Sequence, residues 1–406
     1  MSSPFPTAQR LLIVLFVVGI SMPAALLLVR DESSTAQFEQ RRLAPAPALP
    51  LHKDQVRLFP IRFEAWFNDR FGFRDDFIRW HNLAQVKWLG TPPLNQSGND
   101  QLLAGAAGRL SNQVIAARDG WLFYAGEHTL EDYRGLRPFS EDELARWAEV
   151  LQARKDWLAA RGISYLVIPC PDKHTIYGDY LPASLNRVNP TTRLDQLYDY
   201  CRRHTTVELV DFRDVLRRAR ETERVYHKTD THWNQAGGYE AYLELVPHLA
   251  RYLPGLVPVD RSRLDRRFAN TPGGDLAVML GLSDLYQEET IRMVLEGDRQ
   301  GRIISRGNRM GQMTMILEHP DKSLPRAVIF HDSFLGAMNT FLAQHFSRAD
   351  CYWSYGFDAQ AVERGRPAIV IQQFVERKLQ TVVPENPSEV QEFALRLARE
   401  KSPTPR

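Results

Sequence analysis

Apolar residues fall into three patterns along this chain. The first is a continuous run: Leu11 to Val29 reads LLIVLFVVGISMPAALLLV, 19 residues with no charge. A spanning helix needs about 20 apolar residues, and the apolar part of a signal peptide about 7–15. The run therefore predicts one uncleaved N-terminal transmembrane helix; a long signal peptide cut near Ser34-Thr35-Ala36 is the other reading. Arg10 and the amino terminus outweigh Arg30 only slightly, which favours the N-terminus inside and the rest of the chain exported. The second pattern is helical spacing. From Asp75, Phe77, Trp80, Leu83 and Val86 recur at helical intervals, so residues 57–90 predict a small aromatic-rich helical element. Trp66, Phe67 and Trp80 are expected to form a small local core there. Residues 31–56, with LAPAPALP, read as an extended linker, and 91–112 as a loop.

The third pattern begins near residue 113, where short apolar runs alternate with helical segments. Arg118–Tyr124 reads as a turn into a strand. Strands are expected at Ile163–Pro169, Val207–Phe212, Ala327–Phe330, Cys351–Tyr355 and Ala368–Phe374. Helices are expected over 140–161, where Ser140 and Glu143 form a capping box, and over 190–204, Asn234–Tyr252, Phe334–Phe346 and Ser388–Glu400. Apolar strands alternating with helices predict an α/β domain whose parallel sheet is flanked by helices. The organisation read from the chain is an anchor over 1–30, a linker and small helical element over 31–112, and one large domain over 113–406.

Composition narrows the class. The 406 residues carry 51 Lys+Arg against 49 Asp+Glu, a net charge of +2, with 44% hydrophobic residues. This balance excludes a disordered chain, a disulfide scaffold and a polytopic membrane protein. It also supplies no global field for nucleic acid, so no nucleic-acid partner is expected. No GxGxxG or P-loop is present, and no nucleotide or other cofactor is expected. The three cysteines allow at most one disulfide, whose pairing the sequence leaves open. Cys351 reads as a buried small apolar residue. None of the three has metal-ligand spacing, so no metal is expected.

Two short motifs carry candidate chemistry. In Lys228-Thr229-Asp230-Thr231-His232-Trp233-Asn234, extended backbone turns Asp230 and His232 to the same side. A carboxylate there can orient an imidazole and stabilise its charged form. The plainer reading is a helix-capping Asp230 and a surface His232. In Ala327-Val328-Ile329-Phe330-His331-Asp332-Ser333-Phe334, an apolar strand ends in a serine before an expected helix. A nucleophile at such a turn projects from the carboxyl edge of a parallel sheet, beside free backbone N–H groups. The plainer reading is a helix cap. Together the motifs predict Ser333 as nucleophile, His232 as base and Asp230 as its orienting partner, in the chain order Asp, His, Ser. His331 is a rival base, placed below His232 because sequence neighbours on a tight turn seldom face each other.

These motifs resemble the SGNH-like acetyltransferases of the alginate O-acetylation group, the AlgJ/AlgX type. The likeness includes Phe38-Glu39-Gln40-Arg41-Arg42-Leu43-Ala44-Pro45, Phe67-Asn68-Asp69-Arg70-Phe71-Gly72-Phe73-Arg74-Asp75 and Asp119-Gly120-Trp121-Leu122-Phe123. It continues through Pro171-Asp172-Lys173, Ile176-Tyr177, Leu181-Pro182, Thr229-Asp230-Thr231-His232-Trp233, Gly274-Asp275-Leu276, Asp332-Ser333-Phe334 and Val375-Glu376-Arg377. The resemblance implies an SGNH-like fold with a permuted triad order and assigns Ser333, His232 and Asp230 the same roles. The usual SGNH Gly and Asn oxyanion blocks are not recognisable. The Ser333 N–H is then the first candidate donor, with Asn339 and Gln373 as further candidates. Only 29 residues follow Arg377, which with the anchor favours the AlgJ type over AlgX-type chains that carry a carbohydrate-binding module.

The expectation is thus an O-acetyltransferase acting on an exported polysaccharide such as alginate through an acetyl-serine. It would be anchored in the bacterial inner membrane with its catalytic domain in the periplasm. The resemblance also implies an MBOAT-type membrane partner that delivers acetyl groups. An exported polysaccharide acetylesterase and a non-catalytic scaffold of an acetylation complex are the alternatives.

Overall fold

The computed structural model describes residues 7–29, 35–36, 41–50, 52–88, 113–297, 300–306 and 313–381. The chain forms two compact units, one of Met1–Ala116 with Pro272–Gln287 and one of Ala117–Thr271 with Glu288–Arg406. The loop expected over 91–112 and the amphipathic helix expected over Ser388–Glu400 lie outside the described residues.

In the first unit, α1 (Thr7–Val29) carries the apolar run. Among the described residues no helix is long and apolar enough to cross a membrane, so the expected span is not confirmed. Helices α2 (Lys53–Arg70) and α3 (Arg74–Trp88) follow. Helix thus begins well before Asp75 and breaks at Gly72, where a Cβ would lie 2.7 Å from Leu26 Cβ. Asp69 accepts the Ala44 N–H at 2.7 Å and Arg70 donates to the Ala44 carbonyl at 2.6 Å, which ties the preceding segment to the end of α2. The expected aromatic core is only partly realised. Phe59, Phe63, Phe67, Phe71, Phe77 and Trp80 form a ladder of ring contacts. Phe63, Phe77 and Trp80 nevertheless stay 45%, 49% and 59% exposed.

The second unit is built on a seven-stranded sheet. Its strands are β1 (Ser164–Cys170), β2 (Glu208–Leu209), β3 (Arg302–Arg306), β4 (Met313–Glu318), β5 (Arg326–His331), β6 (Arg348–Trp353) and β7 (Ile369–Val375). The order is β2-β1-β7-β5-β6-β4-β3. The pairs from β2 to β6 are parallel, as expected, and β4 and β3 add an antiparallel edge. Strands β1, β5 and β7 are buried almost throughout, consistent with a parallel sheet covered on both faces. Helices α4 (Glu141–Ala159) and α5 (Arg193–His204) each begin with a capping box, Ser140 with Glu143 and Thr192 with Asp195. Trp147, Leu151, Trp157, Leu197, Val328, Phe330, Val370 and Phe374 belong to one buried cluster between helices and sheet. Helices α6 (Arg213–Ala219), α7 (Gln235–Tyr252) and α8 (Ala359–Gly365) also belong to this unit.

Two expected elements differ. The strand expected over Val207–Phe212 pairs only at Glu208 and Leu209, because β2 is an edge strand and Phe212 already leads into α6. The helix expected over Phe334–Phe346 is a 3₁₀ turn, Ser333–Ala337, followed by a short helix at Asn339–Leu342. Here α7 comes in at backbone distance: a Cβ on Gly238 would lie 2.6–2.8 Å from Ala337. The turn is held tight against it, and the wider α-helical coil does not form. Cys170, Cys201 and Cys351 are all buried and free, and Cys351 is the buried small residue expected.

Candidate active site

The nucleophile candidate sits where three parallel strands end together. Pairing sets Phe330 opposite Gln372 and Val375 opposite Cys170, so β5, β7 and β1 share one carboxyl edge. Ser333 lies two residues past β5. Asp332 fixes that turn. Its Oδ1 accepts from the Phe334 N–H at 2.9 Å and from Gln373 Nε2 at 2.7 Å, and its Oδ2 accepts from the Val375 N–H at 2.7 Å. The Asp332 N–H donates back to Gln373 Oε1 at 2.9 Å. A buried carboxylate is stable only with such donors around it.

The second motif arrives on the segment before α7. Tyr226 and Trp233 form an antiparallel bridge, and the Trp233 indole N–H donates to the Phe334 carbonyl at 2.8 Å. That bond joins the histidine segment to the serine turn. Asn234 caps α7 by accepting the Gly237 N–H at 2.9 Å.

Ser333, His232 and Asp230 thereby form one hydrogen-bonded chain. His232 Nδ1 lies 2.6 Å from Asp230 Oδ1, and His232 Nε2 lies 2.6 Å from Ser333 Oγ. An ionised carboxylate only accepts, so Nδ1 carries the proton and Nε2 is free to accept from the serine hydroxyl. Asp230 Oδ1 also accepts the His232 backbone N–H at 2.9 Å. The imidazole rests on the Phe334 ring, with centroids 5.0 Å apart. The Asp230 and His232 side chains keep 23% and 28% exposure, which leaves the site open to a substrate. The arrangement is suited to removing a proton from Ser333 and returning it to a leaving group.

Other candidates are placed elsewhere. His331 points its Nδ1 at the Asp332 carbonyl, 2.7 Å away, and burial lowers its pKa. Gln373 is fully buried, with its amide on Asp332 and its Nε2 3.3 Å from Cys170 Sγ. It therefore positions the serine turn and is not an oxyanion donor. Asn339 is buried with its Oδ1 unpartnered. Arg377 lies over the Phe334 ring at 5.4 Å and donates to Asp172 at 2.5 Å. Burial opposes its charge, but Asp172 and Asp332 outweigh this and push its pKa up.

Comparison with known proteins follows the same lines. Residues 114–299 match the family model described as SGNH hydrolase-like domain, acetyltransferase AlgX; that stretch holds Asp230 and His232, and Ser333 lies beyond it. Over that stretch, less than half of the chain, the protein resembles SGNH hydrolase-like domains of the alginate O-acetyltransferase type. Its sequence relatives include the "probable alginate O-acetylase AlgJ" of Pseudomonas aeruginosa, 27% identical over 178 residues and 43% of either chain. The protein of the same description from Pseudomonas putida is 24% identical over 299 residues, covering 66% of this chain and 70% of that one. The match therefore spans less than half of the first relative and about two thirds of the second. Among solved structures, Bacillus cereus PatB1 superposes with a TM-score of 0.50 at 14% identity, over 66% of this chain and 96% of that one. At that identity the likeness concerns the fold alone.

Proposed function

We propose that this protein is an O-acetyltransferase that moves acetyl groups onto an exported polysaccharide, alginate being the nearest model, through an acetyl-serine at Ser333. The observation that carries the reading is His232 within 2.6 Å of both Ser333 Oγ and Asp230 Oδ1. His232 Nε2 takes the Ser333 proton as Oγ attacks the acetyl carbonyl. The Ser333 N–H is the proposed donor to the oxyanion. Collapse expels the donor's leaving oxygen, which takes the proton from His232. A sugar hydroxyl then gives its proton to the same nitrogen and attacks the acetyl-serine, and Ser333 regains a proton as the acetylated sugar leaves. Asp230 holds the imidazole tautomer and stabilises its cation throughout. No cofactor is needed for these steps.

The apolar run of α1 supports an inner-membrane signal-anchor, with the catalytic unit in the periplasm. An exported enzyme lacks cytosolic acetyl donors, and that supports an MBOAT-type membrane partner as the source. The test uses the full chain in detergent, a chromogenic acetyl ester and an alginate oligosaccharide. Ser333→Ala and His232→Ala should each lose ~10³-fold or more in turnover; full activity in either overturns the assignment. Acetylated oligosaccharide is the expected product. Free acetate alone, with no sugar ester, is the result of an esterase.

A further inference from the structure

We propose that Glu288 and Lys173 are positioning residues for this reaction: they grip the 227–230 segment from two sides and so hold Asp230, and through it His232, in register with Ser333. The proposal rests on the roles given above to those three residues.

The segment between Tyr226 and Trp233 belongs to neither helix nor ladder, so its backbone groups need other partners. The His227 N–H donates to the His232 carbonyl at 3.2 Å and the Lys228 carbonyl accepts the Leu122 N–H at 2.9 Å; two buried side chains of opposite charge supply further partners. The Lys173 ammonium donates to the carbonyls of His227, Lys228 and Asp230 at 3.0, 3.1 and 2.6 Å. The Glu288 carboxylate accepts from the N–H groups of Lys228 and Thr229 at 3.2 and 2.7 Å and from Thr229 Oγ1 at 2.6 Å. The cation takes the carbonyls and the anion takes the amides of the same short stretch. Each residue is 2% exposed. Lys173 also sits over the rings of Trp121 and Phe123, at 5.6 and 5.3 Å. Burial works against the Glu288 charge, but His227 and Thr229 outweigh it and hold the carboxyl at about 2. The Glu288 side of the grip is therefore a charged carboxylate at neutral pH. Gripping the backbone leaves the Asp230 side chain for His232. Reacting groups must be held within about half an ångström, and a displacement of about 1 Å costs on the order of 10²-fold in rate.

The test measures kcat and KM of the full-length protein on the chromogenic acetyl ester, with Ser333→Ala as reference and circular dichroism to count folded protein. Thr229→Val removes one hydroxyl bond to Glu288 without changing shape and is expected to lower kcat about fivefold to tenfold, with KM within twofold. Glu288→Ala is expected to lower kcat about 10²-fold. In Glu288→Gln the amide oxygen can take both Thr229 bonds while its NH2 faces the Lys228 N–H, so kcat should recover only in part, to about tenfold below the unaltered protein. Folded Thr229→Val and Glu288→Ala proteins with kcat within twofold of the unaltered chain overturn the proposal. So does activity that falls only in step with the folded fraction. If Glu288→Ala fails to fold, Thr229→Val decides alone. If Ser333→Ala itself stays active, the assignment of the site has failed and the grip has nothing to position. If Ser333→Ala is inactive while the grip variants turn over normally, the grip alone is wrong.

Discussion

Replacing Asp332 by Asn tests how the serine turn is held. The carboxylate is 2% exposed and accepts three hydrogen bonds, two at Oδ1 and one at Oδ2. An Asn amide has one acceptor atom. If its oxygen takes the Oδ1 place, its NH2 faces the Val375 N–H; turned over, the NH2 faces both the Phe334 N–H and Gln373 Nε2. Either way a donor is buried against a donor. A hydrogen bond to a charged acceptor contributes about 1.5–3 kcal/mol, and an orphaned buried donor costs about 1–3 kcal/mol. The expected loss is about 3 kcal/mol, or roughly 6–12 °C in Tm at about 2–4 °C per kcal/mol for a unit of this size. Ser333 should also shift, so kcat on the acetyl ester should fall about tenfold or more in the folded protein. Urea unfolding followed by circular dichroism gives the first quantity and steady-state kinetics the second. A stability loss under ~1 kcal/mol with unchanged kcat would refute the anchoring role of Asp332.

Gly238→Ala places a Cβ 2.6–2.8 Å from Ala337, so it should push the serine turn away from α7 and lower both Tm and kcat; a thermal melt and ester kinetics unchanged from the parent would contradict this. Glu376 is buried, and burial together with Asp172 and Asp132 pushes its carboxyl up to about 8. Its folded pKa is above the unfolded one, so its contribution to stability is full below about 4.3 and is lost as pH rises toward 8. Glu376→Gln should therefore raise Tm at pH 8 more than at pH 5, and an equal effect at both pH values counts against the assignment. His331→Gln should keep kcat within about tenfold while His232→Gln loses ~10³-fold; the reverse order would make His331 the base.

The site was legible where local pattern and chemistry coincide. An apolar run ending in Ser333 marks a strand edge without knowledge of its neighbours, and the alternate spacing of Asp230 and His232 puts two side chains on one side of any extended segment. Glu288 was not legible. It lies in a strand, Gln287–Leu295, with no motif of its own, and only the fold brings it to Thr229. Gln373 is by type only a further candidate for an oxyanion donor; its pairing with Asp332 depends on β7 lying beside β5. The 334–346 stretch misled for a similar reason. Phe334, Leu335, Met338, Phe341 and Leu342 suit an α-helix, but the close approach at Gly238 sets a tighter turn. The antiparallel edge of β3 and β4 has no clear signature in the sequence: both register pairings of β4 are irregular, and short edge strands carry little burial pattern.

The central claim is an acetyl-serine at Ser333, and mass spectrometry of the acid-quenched protein tests it most directly. After brief exposure of the full chain to the acetyl ester, one added acetyl group should appear on the peptide that carries Ser333. It should be absent in Ser333→Ala and should disappear when a polysaccharide acceptor is added. Turnover by the unaltered chain with no acetyl on that peptide, or the same labelling in Ser333→Ala, would contradict the account.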